Sequence, residues 1–188
     1  MGLSLWVDVM EATRRELPDY LAPGLEVIFV GFNPGDRSSR IGHYYAGRGN
    51  QFWNFLYESG LVPTRLRPED DGSICEFGVG LTDLVKRWSK SSSDLGPADY
   101  RLGIAKLAAK LLAVAPRVVA FNGKGAYEKY AGRPAQLGWQ KAAHGAAWRV
   151  FVLPSTSGRN GSLTRAAKLA YFRRLARWVQ GQRSPKEA

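Results

Sequence analysis

Residues 27–35 of the chain read VIFVGFNPG, and this short stretch restricts the fold more than any other. Val27, Ile28, Phe29 and Val30 form an unbroken β-prone apolar run that passes directly into a cluster where Gly31 and Gly35 bracket Asn33 and Pro34. Such a run reads as a buried strand stopped by a tight turn. It delivers Asn33 to the strand's carboxyl end, and open α/β sheets bind ligands in the crevice outside those ends. Asn, Pro and Gly are also the ordinary residues of a plain turn, so the motif alone fits either reading.

The remaining pattern alternates. Leu5, Val9, Met10, Thr13 and Leu17 share a helical face that Pro18 ends, and residues 50–59 place Phe52, Trp53, Phe55 and Leu56 at helical spacing before Gly60. Residues 62–77 read as a polar loop. GVGLTDLV (78–85) is a second apolar run, followed by the serine-rich KRWSKSSSDL. A helix is expected over 100–113, opened by Pro97 and closed before Pro116. RVVAF (117–121) is the third strand, a short helix passes through Tyr127 and Tyr130, WRVFVL (148–153) is the fourth strand, and 164–179 is a closing helix. This predicts an α/β fold: one domain over 1–188, three layers (αβα) around a mostly parallel four-stranded sheet, with the polar tail 181–188 frayed. Each run ends in a polar cluster: Asn33, Asp83, Asn122 to Lys124, and Ser155 to Asn160. In a parallel sheet these lie on one edge and can converge on one ligand.

Charge narrows the choice of ligand. Lysine and arginine outnumber aspartate and glutamate by 27 to 16, a net charge of +11 with pI near 10.0, which favours a polyanion, nucleic acid before a membrane surface. Cys75 is the single cysteine, so no intramolecular disulfide can form, and an intracellular place is expected, cytoplasm or nucleoid in a bacterium and nucleus in a eukaryote. The N-terminus lacks the basic start and apolar core of a signal peptide, and no run is long enough to span a membrane.

Common chemistries lack their marks. Asn122-Gly123-Lys124-Gly125 is only a fragment of a phosphate-binding loop, and no GxSxG elbow is present. His43 and His144 lie far apart with no cysteine pair, so no zinc signature exists; neither metal nor cofactor is called for. His144 reads as an ordinary surface or packing residue, and His43 as either a pocket neighbour or a structural residue. What remains can hold a water, stack a flat ring and grip phosphates. Breaking an N-glycosidic bond asks for little more, since the departing base is stabilised by hydrogen bonds and the sugar turns cationic. Asn33 can orient a water, Asp83 can take its proton or stabilise the sugar cation, and Tyr45 offers a stacking face.

GFNPG followed by GHYYAGRGNQFWNFLYESGL, together with GLTDLVKR, FNGK and LPSTSGR, resembles the mismatch-specific uracil-DNA and thymine-DNA glycosylases of the uracil-DNA glycosylase superfamily. The resemblance implies that Asn33 positions the hydrolytic water and Tyr45 stacks on a flipped base, in a pocket with Phe32, Tyr44, Asn50 and Ser89. It implies that Asn122, Gly123 and Lys124 hold the DNA backbone. It further implies that a loop carrying Ser155, Ser157, Gly158, Arg159 and Asn160 enters the duplex, with Arg159 where the thymine-DNA type inserts an arginine. Two positions depart from the pattern: Asp83 stands where thymine-active members carry a base-reading asparagine, and Tyr44 where the family has a histidine. Asp83 is then a second catalytic group, a determinant of base choice, or a capping residue. The expected activity is monofunctional removal of uracil, with thymine as a second candidate, from G:U or G:T mismatches in double-stranded DNA, by a monomer that does not bind membranes. The alternatives are a non-catalytic binder of damaged or abasic DNA, a glycosylase for another deaminated base, and a nucleoside-hydrolysing enzyme.

Overall fold

The computed structural model describes residues 14–90, 92–141 and 148–182. The first strand, β1 (Val27–Gly31), is followed by a short helix α1 (Asp36–Ile41), helix α2 (Phe52–Glu58) and a 3₁₀ segment (Pro68–Phe77). Then come β2 (Val79–Asp83), α3 (Pro97–Val114), β3 (Val118–Asn122), α4 (Lys124–Ala131), β4 (Gly138–Gln140), β5 (Arg149–Leu153) and α5 (Arg165–Gly181). The sheet order is β2-β1-β3-β5-β4, parallel except for β4, which runs antiparallel to β5.

The apolar runs are unbroken because both faces of the sheet are covered. Val27 and Phe29 of β1 pack toward Phe52, Phe55 and Phe172 on one side, while Ile28 and Val30 pack toward Leu107, Leu111 and Tyr127 on the other. β3 and β5 divide in the same way, with Ala120 and Phe151 on the first side and Phe121 and Val152 on the second. Each buried Val, Ile or Phe side chain contributes about 1.5–3 kcal/mol, and the polar residues of β1, β3 and β5 stand only at the strand ends, Arg149 at the start of β5 and Asn122 at the end of β3. Helix ends follow local chemistry. Pro97 opens α3 behind Gly96, whose N–H donates to Asp99, and Thr164 caps α5 by accepting from Ala167 N–H at 3.2 Å.

Several expectations need correction. The sheet has five strands rather than four: β4 escapes notice because its three residues carry a single large apolar side chain, Trp139, too short a pattern for alternation to show. It is held instead by tertiary contacts, with the Trp139 ring edge-on to Phe151 at 4.8 Å and to Trp178 at 5.2 Å. The loop expected over 62–77 contains ten residues of 3₁₀ helix with Asp71 and Ile74 buried. α1 has no apolar periodicity; Ser38 and Ser39 are its buried positions. The leading helix expected from Leu5 falls, through Thr13, outside the described residues; Leu17 is buried, in non-helical chain. The histidine at 144 and the end of the tail, 183–188, also lie outside them.

The connection after β1 leads to β2 on one side, and the chain after β3 passes to β4 and β5 on the other. The neighbouring carboxyl ends of β1 and β3 are therefore the place where the winding reverses and a crevice opens. Among the described residues no helix is long and apolar enough to cross a membrane.

Candidate active site

A cleft of about 1220 Å³ lies over this crevice. Its walls bring together Phe32, Asn33, Tyr44, Tyr45, Asn50, Asp83 and Asn122, and across from them Ser155, Ser157, Gly158 and Arg159. Gly123, Lys124 and Asn160 line an adjoining pocket of about 500 Å³ that shares Phe32, Asn33 and Asn122 with the cleft. Ser89 stands behind Asn33.

Asn33 is oriented by the loop after β2. Its Nδ2 donates to Ser89 Oγ at 2.9 Å and to the carbonyl of Arg87 at 3.3 Å. A carbonyl can only accept, so the nitrogen must face it, and Oδ1 is left as an acceptor. Ser89, buried beneath, thus serves as a support for Asn33.

Asp83 closes β2 directly beside Gly31 of β1 and is only 4% exposed. Its Oδ2 is buried and has no hydrogen-bond partner among the described residues. Gly31 exists in that form for reasons of space: a Cβ there would collide with Asp83 Oδ1 and touch Tyr45 Oη at 3.4 Å. Burial pushes the Asp83 carboxyl up from 3.8 to about 7; Lys86 and Lys110 oppose the shift, and Asp19 adds to it. Asp19 itself accepts hydrogen bonds from Thr82 Oγ1 at 2.6 Å, from Lys86 Nζ at 2.9 Å and from Lys110 Nζ. Burial works against the Asp19 charge, but the bonds from Lys110, Thr82 and Lys86 outweigh it and hold its pKa below the ordinary value.

Tyr45 carries a backbone φ of 54°, a left-handed conformation that costs a non-glycine residue about 1–2 kcal/mol. Its ring stacks on Phe52 with 3.8 Å between centroids. Burial and the neighbouring Asp83 push its phenol well above the usual range, so the ring stays neutral. Tyr44 is a wall residue at 1% exposure, its Oη accepting from Lys86 Nζ at 3.0 Å. Asn50 uses Oδ1 to accept from Phe52 N–H at the start of α2. Phe32 packs edge-on against Tyr100.

The opposite wall is pinned by a residue that sequence reasoning passed over. Thr156, 1% exposed, accepts from Asn122 Nδ2 at 2.8 Å through Oγ1, and its N–H donates to Asn122 Oδ1 at 3.1 Å. Both ends of the Asn122 amide are thereby engaged in joining β3 to the loop after β5. The same loop packs on the loop before α2, since a Cβ on Gly158 would meet the carbonyls of Arg48 and Gly49 at 3.1 Å. Lys168, also unforeseen and nearly buried, donates to the Asn160 carbonyl. Arg159 is exposed at the rim, along with Arg37, Arg40, Arg48 and Lys90. Among the described residues no group of three or more His, Cys, Asp or Glu side chains could hold a metal ion.

One edge of the sheet therefore carries an amide with a directed acceptor, a buried carboxyl titrating near neutrality, a stacked phenol and a cationic rim. Comparison with known proteins bears on the fold and the family. The structure is similar to the solution NMR structure of a candidate uracil DNA glycosylase from Methanosarcina acetivorans, with TM-score 0.56 and 25% identity over 86% of this chain and 98% of that one. Residues 18–180 match the Uracil DNA glycosylase superfamily, and on a match of that length the chain belongs to this superfamily.

Proposed function

We propose that this DNA glycosylase removes uracil, with thymine as a second base, mispaired with guanine in duplex DNA, and that it is monofunctional. The observation that carries the reading is that Asn33, with Oδ1 left as an acceptor, and the buried Asp83, whose Oδ2 has no partner among the described residues, line one cleft with Tyr45. The cationic rim meets phosphates, and Arg159 enters the stack as the mispaired nucleotide turns out; a mismatched base costs less to extrude than a paired one. The extruded pyrimidine lies against Tyr45. Asn33 Oδ1 holds a water, whose oxygen bonds to the anomeric carbon as the C–N bond breaks. The base departs with the bonding electron pair, and the Asp83 carboxylate takes the proton the water loses. A carboxyl titrating at about 7 is matched to that task at neutral pH. The product is an abasic site. The protein acts as a monomer on this reading.

The test uses end-labelled duplexes carrying G:U, G:T or A:U, and single-stranded U, with hot alkali added afterwards. Strand breaks only after alkali, fastest for G:U, are expected. Asn33→Ala should lower single-turnover excision by about 10²–10⁴-fold while duplex binding stays within about twofold. Unchanged excision would remove Asn33 from the mechanism. Binding without excision on every duplex would sink the mismatch-glycosylase assignment.

A further inference from the structure

Asp71 belongs to the 3₁₀ segment, outside the cleft wall, and is 1% exposed. It is a hub. Tyr44 N–H donates to Oδ2 at 2.9 Å, Tyr20 Oη donates to Oδ1 at 2.9 Å, and His43 Nδ1 lies 3.0 Å from the same Oδ1. The next peptide is held from the other side, where Trp53 Nε1 donates to the Tyr44 carbonyl at 3.0 Å. One residue on, Ala46 N–H donates to Ser38 Oγ at 3.1 Å. Between these anchors sits Tyr45, with its left-handed φ of 54° and its ring laid on Phe52.

Nothing in Tyr45 itself favours that backbone, because an aromatic side chain gains no local hydrogen bond from the left-handed region as Asn or Asp does. The conformation persists because its surroundings over-determine it. Of the anchors, the one on Tyr44 N–H is a buried carboxylate oxygen, a stronger acceptor than the serine hydroxyl that holds Ala46. Released there, the segment is free to return to an ordinary φ, and the ring would leave its place over the cleft.

We propose that Asp71 is a positioning residue for the reaction: through Tyr44 N–H it holds Tyr45 in the left-handed conformation that presents the ring to an extruded base. This rests on the reading of Tyr45 as the platform for that base. It also gives His43 and Tyr20 a shared part, as the other two donors that orient the Asp71 carboxylate.

The experiment is a double-mutant cycle on single-turnover excision from a G:U duplex, with wild type, Asp71→Asn, Tyr45→Ala and the double variant, and a melting curve for each. Asn keeps the size of Asp but removes the charge and turns one acceptor oxygen into a donor: with the nitrogen toward Tyr44 N–H the anchor is lost, and with the oxygen there the anchor is a neutral amide, a weaker acceptor than the carboxylate. Asp71→Asn should slow excision by about tenfold or more, with the half-saturating DNA concentration within about twofold of wild type. In the Tyr45→Ala background it should cause no further slowing, although both forms lose melting temperature. Equal slowing in both backgrounds would overturn the proposal, as would an unchanged rate for Asp71→Asn alone. A Tyr45→Ala rate equal to wild type would instead overturn the platform reading on which the proposal rests. Should Asp71→Asn not fold, Trp53→Phe cuts the anchor on the Tyr44 carbonyl and keeps an aromatic in the core. Slowing confined to the native Tyr45 background supports the clamp, and slowing in both backgrounds refutes it.

Discussion

Asp83→Asn should make the protein more stable at alkaline pH while disabling it. Asp83 is buried, and burial is the main cause that raises its carboxyl from 3.8 to about 7. The folded protein therefore binds this proton more tightly than the unfolded chain, and the sign follows: the stabilisation is fully present below 3.8 and is lost as pH rises through 7. At about 1.4 kcal/mol per unit, the difference is about 4 kcal/mol between mildly acid and alkaline solution. For a domain of this size that corresponds to about 10 °C in melting temperature. The asparagine variant has no such titration. Relative to wild type it should be level or somewhat weaker at pH 4, where it pays for a buried amide, and should gain steadily to pH 9. Urea unfolding of both proteins across that range, read as midpoint against pH, measures the divergence. Excision should rise through pH 7 in wild type and be lost in the variant. Parallel stability curves would refute the argument, because they would mean that the carboxyl is not held protonated by burial and that its place in the cleft confers no poise for proton transfer.

Gly31→Ala puts a methyl group into the space of Asp83 Oδ1 and should cut single-turnover excision by about 100-fold, with the far-ultraviolet spectrum of the sheet unchanged. Thr156→Val leaves the Asn122 Nδ2 donor unpaired and should cost about 2 kcal/mol, read as a fall of about 6 °C in melting temperature. Arg159→Ala should weaken binding to mismatched or abasic duplex more than to matched duplex in titrations at fixed salt; equal losses would make it a phosphate contact alone.

Much of the site was legible because strand ends mark themselves. Asn33, Asn122 and Ser155 each follow an apolar run, Asp83 with Thr82 interrupts a fourth, and a parallel sheet must bring such ends to one edge. Their partners were not legible. Nothing in the sequence shows that Ser89 is the hydrogen-bond partner of Asn33, or that Thr156, inside a polar loop, locks Asn122 from both sides. Asp71 sat in an acidic stretch that reads as solvated loop, and only the packed 3₁₀ segment shows it to be a buried hub. β4 went unseen because its stability comes from Trp139 meeting Phe151 and Trp178, contacts between residues remote in the chain.

The sequence by itself determined the alternation of elements, the burial of the central strands on both faces, the edge at which the polar ends gather and the cationic character of the surface. These follow from local pattern and total charge, which need no knowledge of who neighbours whom. The tertiary structure decided which way the Asn33 amide points, how far burial raises Asp83, why residue 31 has no side chain and what keeps Tyr45 in a left-handed turn. Each of these depends on atoms brought within a few ångströms from distant parts of the chain, where desolvation and hydrogen-bond direction, rather than residue type, set the chemistry.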